Sequence, residues 1–165
     1  MRGSRIACLI AAMIELGSIL MATDFSTSSN RALELAATLA HRFAVSVVLL
    51  HVDEGAETAP LSDAALARRG LARLELDRCR RSLADDGVQA EVLLRPGDPA
   101  REILRVADAH APGMIVLGTH GRSPATTPLL GSVADRVMRY APQPVLVVPD
   151  PARRAGSLSS LGVAG

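Results

Sequence analysis

The segment 114–137, with the sequence MIVLGTHGRSPATTPLLGSVADRV, is the most informative stretch of this chain. It opens with an apolar run up to Leu117, continues with Gly118 and Gly121, and ends in a helical pattern that starts at Gly131. An apolar strand followed by a glycine turn and a helix is typical of one unit of a parallel α/β sheet. The segment therefore predicts an α/β fold in which a loop and a helix follow a buried strand.

The same segment suits the binding of an anion. Gly118 and Gly121 lack a Cβ atom, so the chain can turn sharply and a phosphate can approach its N–H groups. A helix that opens at Gly131-Ser132-Val133 offers free N–H groups and the positive end of its dipole, and Arg122 adds a positive charge. Ser132 can cap this helix or donate its hydroxyl to a phosphate. The chain has neither a Gly-Lys-Ser/Thr loop nor a G-x-G-x-x-G after its first strand, so the Walker A and dinucleotide fingerprints are absent.

Strand-like and helical patterns alternate along the rest of the chain. The predicted strands are residues 19–23, 45–52, 88–94, 114–117 and 145–148, and the predicted helices are residues 26–42, 62–85, 99–110 and 132–140. Asp98 followed by Pro99 is a strong helix start, and Gly87 marks a helix end. Five strands joined by helices predict an α/β fold: an open five-stranded parallel sheet with right-handed crossovers and helices on both faces.

The long charged helix 62–85 is predicted to be amphipathic. Its inward side is expected to carry Leu66, Leu74, Leu76 and Leu83. Its arginines alternate with acidic residues, which is typical of a solvated face. These arginines are Arg68, Arg69, Arg73, Arg78, Arg80 and Arg81.

The amino-acid composition favours some classes of protein and excludes others. The 165 residues carry a formal net charge of +1, 48% of them are apolar, and the rings are limited to two Phe and one Tyr. This length favours one domain with an aliphatic core, while the near-neutral charge and the few rings exclude a basic or base-stacking surface for nucleic acid. Two cysteines outside any metal-ligand spacing predict reduced thiols in a cytoplasmic protein.

The two ends of the chain differ from its middle. Residues 1–17 contain an apolar run that is shorter than the roughly 20 residues needed to span a bilayer, so no membrane contact is expected. They are predicted to be an N-terminal extension, and residues 18–149 are predicted to form the single domain. Residues 150–165 are small, polar and rich in Gly and Ser, which predicts a disordered tail.

Residues that directly follow the strands are candidates for a binding site. In open α/β sheets, ligands bind beyond the carboxyl ends of the strands, where the strand order reverses. Asp24 closes the first strand and is expected to contact a ligand there, although an Asp at such a position can also cap the next helix. His120 either contacts the ligand or is a solvated loop residue, and Arg122 either contacts it or is a plain surface charge.

Other residues near these strand ends have simpler interpretations. His51, at the end of the second strand, is expected to be structural. Phe25 is expected to pack against the domain rather than to stack on a base. Asp53 and Glu54 are expected to solvate a loop.

The quoted segment resembles the signature of the universal stress protein family. The similarity covers residues 18–149 and includes Met114–Leu117, Leu129–Val137, the closing Pro144–Pro149 and, at the other end, Ile19–Ser26. It implies an adenine-nucleotide-binding, Rossmann-like fold with strand order 3-2-1-4-5, whose switch point lies between the first and fourth strands. This chain departs from the family pattern at Gly113, where Asp is common, and at Pro124 and Pro128, where a Gly-Leu pair is usual.

In the ATP-binding branch of the family, the resemblance implies a nucleotide at this switch point. Ala22, Thr23 and Asp24 would line it, with Asp24 accepting hydrogen bonds from the ribose, and Val52 would contact adenine through its backbone. The ribose and phosphates would be held from one side by Leu117, Gly118, His120, Gly121 and Arg122, and from the other by Gly131, Ser132 and Val133. A Mg²⁺ ion would bridge the phosphate oxygens.

The resemblance also implies a role in bacterial stress response, with ATP, or AMP or ADP, as a regulatory ligand. Because neither a general base nor a Walker aspartate is evident, at most weak hydrolysis is expected. Two alternatives stay open: a slow ATPase, and a nucleotide-free stress-signalling dimer in which the loop Ser123–Pro128 fills the phosphate site. Val145–Val148 would be an exposed apolar edge strand, so a homodimer that pairs through it is expected.

Overall fold

The structure, a computed structural model, describes residues 16–54, 62–119 and 130–149. The strands are β1 (Ser18–Ala22), β2 (Ser46–Asp53), β3 (Ala90–Pro96), β4 (Met114–Gly118) and β5 (Val145–Val148). The helices are α1 (Thr27–Phe43), α2 (Asp63–Asp85), α3 (Pro99–His110) and α4 (Ser132–Tyr140). The predicted tail and all but the last two residues of the predicted extension lie outside the described residues.

The five strands form one sheet in the order β3-β2-β1-β4-β5, and every neighbouring pair is parallel. This order confirms the predicted topology. β1 lies in the middle, with Ile19 opposite Val47 of β2 on one side and Met114 of β4 on the other. The chain leaves β1 toward β2 first and reaches β4 later, so the switch point falls between β1 and β4.

Two apolar layers cover the sheet, because successive side chains of a strand point to opposite faces. One layer packs α1 and α2 against Ile19, Met21, Val47, Leu49 and Val116. The other packs α3 and α4 against Leu20, Val48, Leu50, Ile115 and Leu117. Each of these ten side chains is at least 95% buried, so the strands are packed on both faces and their carboxyl ends lie along one edge of the sheet.

Side chains cap the first three helices, and the cap of α3 is the Asp98 predicted from the sequence. Ser26, Ser62 and Asp98 each accept a hydrogen bond from a backbone N–H three residues later. At the end of α2, Gly87 takes the left-handed conformation with φ 75°. The Gly87 and Val88 N–H groups then donate to the Ala84 and Leu83 carbonyls, which closes a Schellman motif.

The inward face predicted for α2 is half wrong. Leu76 and Leu83 are buried, but Leu66 and Leu74 are 53% and 57% exposed. The buried face is completed by small residues, Ala65 and Ala72, which lie on the same side of the helix as Leu76 and Leu83. The positions of the leucines alone therefore predict the wrong helix face. The buried face also uses alanines, which let α2 lie close to the sheet.

Candidate functional site

The end of β1 forms the centre of the candidate site. The Thr23 N–H donates to the Leu50 carbonyl at 2.9 Å, so Thr23 still follows the sheet although β1 ends at Ala22. Its side chain is buried, with Oγ1 donating to Ser29 Oγ at 3.2 Å and accepting from the Phe25 N–H at 3.0 Å. Thr23 therefore joins the end of β1 to the first turn of α1.

Asp24 shapes the turn that follows. Its Oδ1 accepts a hydrogen bond from the Ser26 N–H at 3.1 Å, two residues on. The cap of α1 is Ser26 and not Asp24, so the capping alternative for Asp24 is wrong in detail: Asp24 orders the turn before the cap. Phe25, between them, takes a left-handed φ of 62°, which is strained for a bulky residue and is common at binding sites.

Gly118 brings the end of β4 against the same helical turn. A Cβ atom built on Gly118 would lie 2.5 Å from Ser28 Oγ and 2.9 Å from both the Ser28 carbonyl carbon and the Ser29 nitrogen. The absence of a side chain at Gly118 is therefore explained by helix packing, whereas the sequence pattern pointed to phosphate approach. Because Thr23 and Gly118 both contact Ser29 or its backbone, the ends of β1 and β4 meet at the first turn of α1.

The start of α4 lies next to the end of β4. The Gly131 N–H donates to the Thr119 carbonyl at 2.7 Å, and the Thr119 N–H donates to the Val148 carbonyl at 2.9 Å. Gly131 is the N-cap and has no side chain to satisfy the first N–H groups of the helix; the prediction that Ser132 caps it is wrong, since Ser132 is the first helical residue. Together with Val133, these residues present a helix N-terminus with a glycine N-cap at the carboxyl edge of the sheet.

Val52 lies at the other side of β1, near the end of β2. Ala22 pairs with Leu50, and β2 continues for three residues beyond that pair. His51 reaches back toward β1, with its Nδ1 2.8 Å from the Thr23 carbonyl oxygen and its ring centroid 4.5 Å from that of Phe25. The expectations that His51 is structural and that Phe25 packs on the domain agree with these contacts.

Asp53 departs most from its predicted role. The carboxylate is 95% buried, and it accepts hydrogen bonds from Arg68 Nε at 2.7 Å and Arg69 Nε at 3.1 Å. Burial raises the pKa of Asp53, but the hydrogen bonds and positive charges of the two arginines outweigh burial and hold the pKa below its ordinary value. Asp53 is therefore a clamp between β2 and α2, and Arg68 and Arg69 belong to this clamp rather than to a solvated face.

The structure thus places together Ala22, Thr23, Asp24, Leu117, Gly118, Gly131, Ser132 and Val133 around the ends of β1 and β4, with Val52 across β1. His120, Gly121 and Arg122 lie outside the described residues, as does the loop Ser123–Pro128. The packing of Ser28 and Ser29 against Gly118 is not predicted by the sequence pattern, because this contact joins residues about 90 positions apart. In the part of the chain that the structure describes, no three His, Cys, Asp or Glu side chains form a possible metal cluster. None of the described helices is long and apolar enough to cross a bilayer.

Comparisons with known proteins agree with this arrangement. The sequence model described as the universal stress protein family matches residues 15–149. Universal stress protein YxiE of Bacillus subtilis is 32% identical over 145 residues, which cover 79% of this chain and 97% of that protein. Protein MJ0577 of Methanocaldococcus jannaschii has a solved structure that superposes with a TM-score of 0.70 at 28% identity, over 82% of this chain and 96% of that one.

Another similar solved structure is a complex with a nucleotide. The universal stress protein of Archaeoglobus fulgidus in complex with dAMP is 26% identical and superposes with a TM-score of 0.63, over 82% of this chain and 99% of that chain. The family match, the relatives and the sheet order all describe the same domain. This chain therefore belongs to the universal stress protein family.

Proposed function

We propose that this protein binds ATP at the carboxyl edge of its sheet, between β1 and β4, as a regulatory ligand in stress response. The observation that carries the proposal is the start of α4, whose N-cap is a glycine without a side chain and which is held beside the end of β4 by the Gly131 N–H. Such a helix end attracts phosphate through its N–H groups and its dipole. The relative from Archaeoglobus fulgidus, described as a complex with dAMP, supports an adenine nucleotide as the ligand class.

Asp24 and Val52 supply contacts for the rest of the nucleotide. Asp24 stands at the switch point on a turn ordered by its own hydrogen bond to Ser26, so its carboxylate is positioned to accept from ribose hydroxyls. Val52 offers a backbone N–H and C=O to the base. Adenine is then held by peptide groups and aliphatic walls, since Phe25 is already engaged with His51.

The phosphates would be held from two sides. On one side we propose Gly131, Ser132 and Val133. On the other side we propose Gly118, His120, Gly121 and Arg122. The described residues offer no cage of carboxylates or imidazoles for an ion. This fits Mg²⁺ only as an ion bound mainly through the phosphate oxygens and water, which is how Mg²⁺ commonly accompanies ATP. When bound, it would neutralise phosphate charge, while the chain itself orients the nucleotide.

The proposal is tested by measuring the nucleotide that co-purifies with the protein. The protein is purified without added nucleotide and heated, and the supernatant is assayed for ATP, ADP and AMP. An adenine nucleotide near one per chain is expected. The proposal is contradicted if none is released and added nucleotide does not bind below about 1 mM, an affinity of only about 4 kcal/mol.

A phosphate-release assay distinguishes the binding of ATP from its hydrolysis. With Mg²⁺ and ATP, the parent protein is expected to release phosphate slowly or not at all, because the sequence offers neither an evident general base nor a Walker aspartate. Multiple turnovers that Asp24→Ala abolishes would instead favour the slow ATPase. A nucleotide-free dimer is favoured if neither binding nor release occurs.

A further inference from the structure

We propose that His51 is a positioning residue of the base pocket: it holds the Thr23 carbonyl and so leaves the Val52 N–H free for adenine. The inference rests on the proposed function, since it explains how that site recognises its base. It assigns a role to a histidine that the sequence marks only as structural.

The direction of the backbone groups in β2 follows from three hydrogen bonds. The Val47 N–H donates toward β3, to the Gln89 carbonyl at 2.9 Å, and the Asp53 carbonyl accepts from the Gly97 N–H on the same side at 3.3 Å. The Leu50 carbonyl faces β1, where it accepts from the Thr23 N–H. Because successive residues of a strand direct their N–H and C=O groups to opposite neighbours, the N–H and C=O of Val52 face the β1 side.

A regular parallel ladder would next join the Val52 N–H to the Thr23 carbonyl. The pairing of β1 with β2 instead stops at Ala22 and Leu50, and within the described ranges the Thr23 carbonyl has its hydrogen bond from His51 Nδ1 at 2.8 Å. A carbonyl oxygen only accepts, so Nδ1 carries the proton. The imidazole thus takes the place of the backbone donor, and the Val52 N–H is left without a ladder partner.

Phe25 keeps the imidazole in this position. Its ring lies 4.5 Å from the His51 ring with a tilt of 35°, and it reaches this place through its left-handed backbone. The Phe25 N–H also donates to Thr23 Oγ1, so Thr23, Phe25 and His51 form one connected unit. The strained backbone φ of Phe25 is then explained, because a relaxed turn would move its ring away from that of His51.

The N–H and C=O of Val52, which face the same side, can together discriminate between purines. Adenine presents an acceptor at N1 and a donor at its 6-amino group, which complement the Val52 N–H and C=O. Guanine presents a donor at N1 and an acceptor at O6, so both contacts would become repulsive. Sites that pair buried polar groups reject the wrong partner strongly, because the mismatch leaves those groups unsatisfied.

The test uses two variants of His51 and one analogue of ATP. His51→Leu removes the donor, whereas His51→Asn keeps one, since the Asn Nδ2 atom occupies nearly the place of the His Nδ1 atom. The analogue is 1-deaza-ATP, in which N1 is replaced by C–H and cannot accept from the Val52 N–H. His41→Leu is the matched control, because His41 Nδ1 lies the same 2.8 Å from a carbonyl oxygen, that of Asp86, at the far end of α1.

Titration calorimetry measures the affinities of ATP and 1-deaza-ATP, with circular dichroism as the check on folding. The parent, His41→Leu and His51→Asn are expected to prefer ATP by about tenfold, the value of one hydrogen bond. In His51→Leu the preference is expected to fall close to one. If His51→Leu is folded and keeps the full preference, the inference is overturned.

Amide hydrogen exchange on nucleotide-free protein separates this inference from the proposed function. The Val52 N–H is expected to exchange fast in the parent and to become protected in His51→Leu, where it can complete the ladder to Thr23. A Val52 N–H that is as protected in the parent as that of Leu50 contradicts the inference, even if ATP binds. A parent that binds no adenine nucleotide contradicts the proposed function, and a base-positioning role for His51 fails with it.

Discussion

At the scale of single residues, the candidate site depends on a few close approaches. Gly118 is the tightest of them, because its α-carbon faces the backbone of Ser28 and Ser29 rather than open space. The same glycine is part of the motif that suggested phosphate binding. Its packing role shows that one residue of a binding motif can serve the scaffold that aligns β1 with β4.

Gly118→Ala is expected to destabilise the protein by about 1–3 kcal/mol, since the added methyl group must displace backbone atoms of α1. Urea unfolding followed by circular dichroism measures the change. Gly70→Ala is the control: its Cβ would meet nothing within 4 Å, and it lies within α2, so a gain of about 0.5–1 kcal/mol is expected. Equal effects of the two substitutions would contradict the packing role.

Asp53 contributes to the stability of the folded protein, and this contribution depends on pH. Its folded pKa lies below the ordinary 3.8, so the clamp stabilises the protein above that value, and the contribution is lost as pH falls through the folded pKa. Asp53→Asn is expected to cost about 1–2 kcal/mol at neutral pH, where it leaves two half-exposed arginines without their carboxylate.

Unfolding free energies measured from pH 7 to pH 3 test this prediction. The curves of the parent and of Asp53→Asn are expected to converge as the pH decreases. Asp77→Asn, which breaks an exposed pair with Arg80 at 3.7 Å, is expected to change stability by less than about 0.5 kcal/mol. A constant gap between parent and Asp53→Asn down to pH 3 would argue against the clamp.

At the scale of elements, α3 and α4 are tied together beside the carboxyl edge. Asp98 caps α3 through Oδ1, which accepts from the Arg101 N–H at 2.9 Å, and its Oδ2 accepts from Arg136 Nη1 of α4 at 2.9 Å. The hydrogen bond from Arg136 is the main reason that the pKa of Asp98 lies below its ordinary value. One carboxylate thus fixes the start of α3 and holds it to the helix that is proposed to bind phosphate.

Asp98→Ala is expected to lower stability by about 1 kcal/mol through loss of the cap. Asp98→Ser keeps a capping oxygen and loses only the bridge to Arg136, so it is expected to lie between the parent and Asp98→Ala in thermal unfolding. If Asp98→Ser is as unstable as Asp98→Ala, the cap is not the main contribution.

Several elements could be predicted from local patterns alone. The start of α3 at Pro99 and the ends of α4 at Ser132 and Tyr140 match the predicted bounds, because caps, prolines and helical spacing are local signals. The start of β3 was placed two residues early, since Val88 is apolar but is used in the Schellman motif that ends α2. A run of apolar residues does not reveal where pairing begins.

At the scale of the whole molecule, the sheet order and the place of the site follow from the sequence, while the contacts within the site do not. Alternating strands and helices predict an open parallel sheet, whereas the strand order and the switch point were implied by the resemblance to the family. The clamp of Asp53 with Arg68 and Arg69 joins residues 15 and 16 positions apart, and the contact of Gly118 with Ser28 spans most of the domain. Such contacts depend on how the elements pack, which no local pattern encodes.

β5 is one edge of the sheet, and its apolar residues are only half-buried apart from Val148. The Pro144 and Val148 carbonyls accept from β4, so the backbone groups of Val145 and Val147 face outward. We propose a homodimer that pairs through β5; Val147→Pro removes an outward N–H without removing a bond to β4, and is expected to convert this proposed dimer to a monomer. Light scattering measures the mass, and Val147→Ala, which keeps the N–H, is expected to stay dimeric. A dimer that persists in Val147→Pro points to another interface.

Titration calorimetry with ATP and Mg²⁺, on protein freed of bound nucleotide, measures whether the edge between β1 and β4 binds its proposed ligand. We expect one ATP per chain with an affinity of about 1–100 μM, lowered about tenfold or more in Asp24→Ala through loss of the ribose contact. No binding of ATP, ADP or AMP by folded protein below about 1 mM would contradict the account.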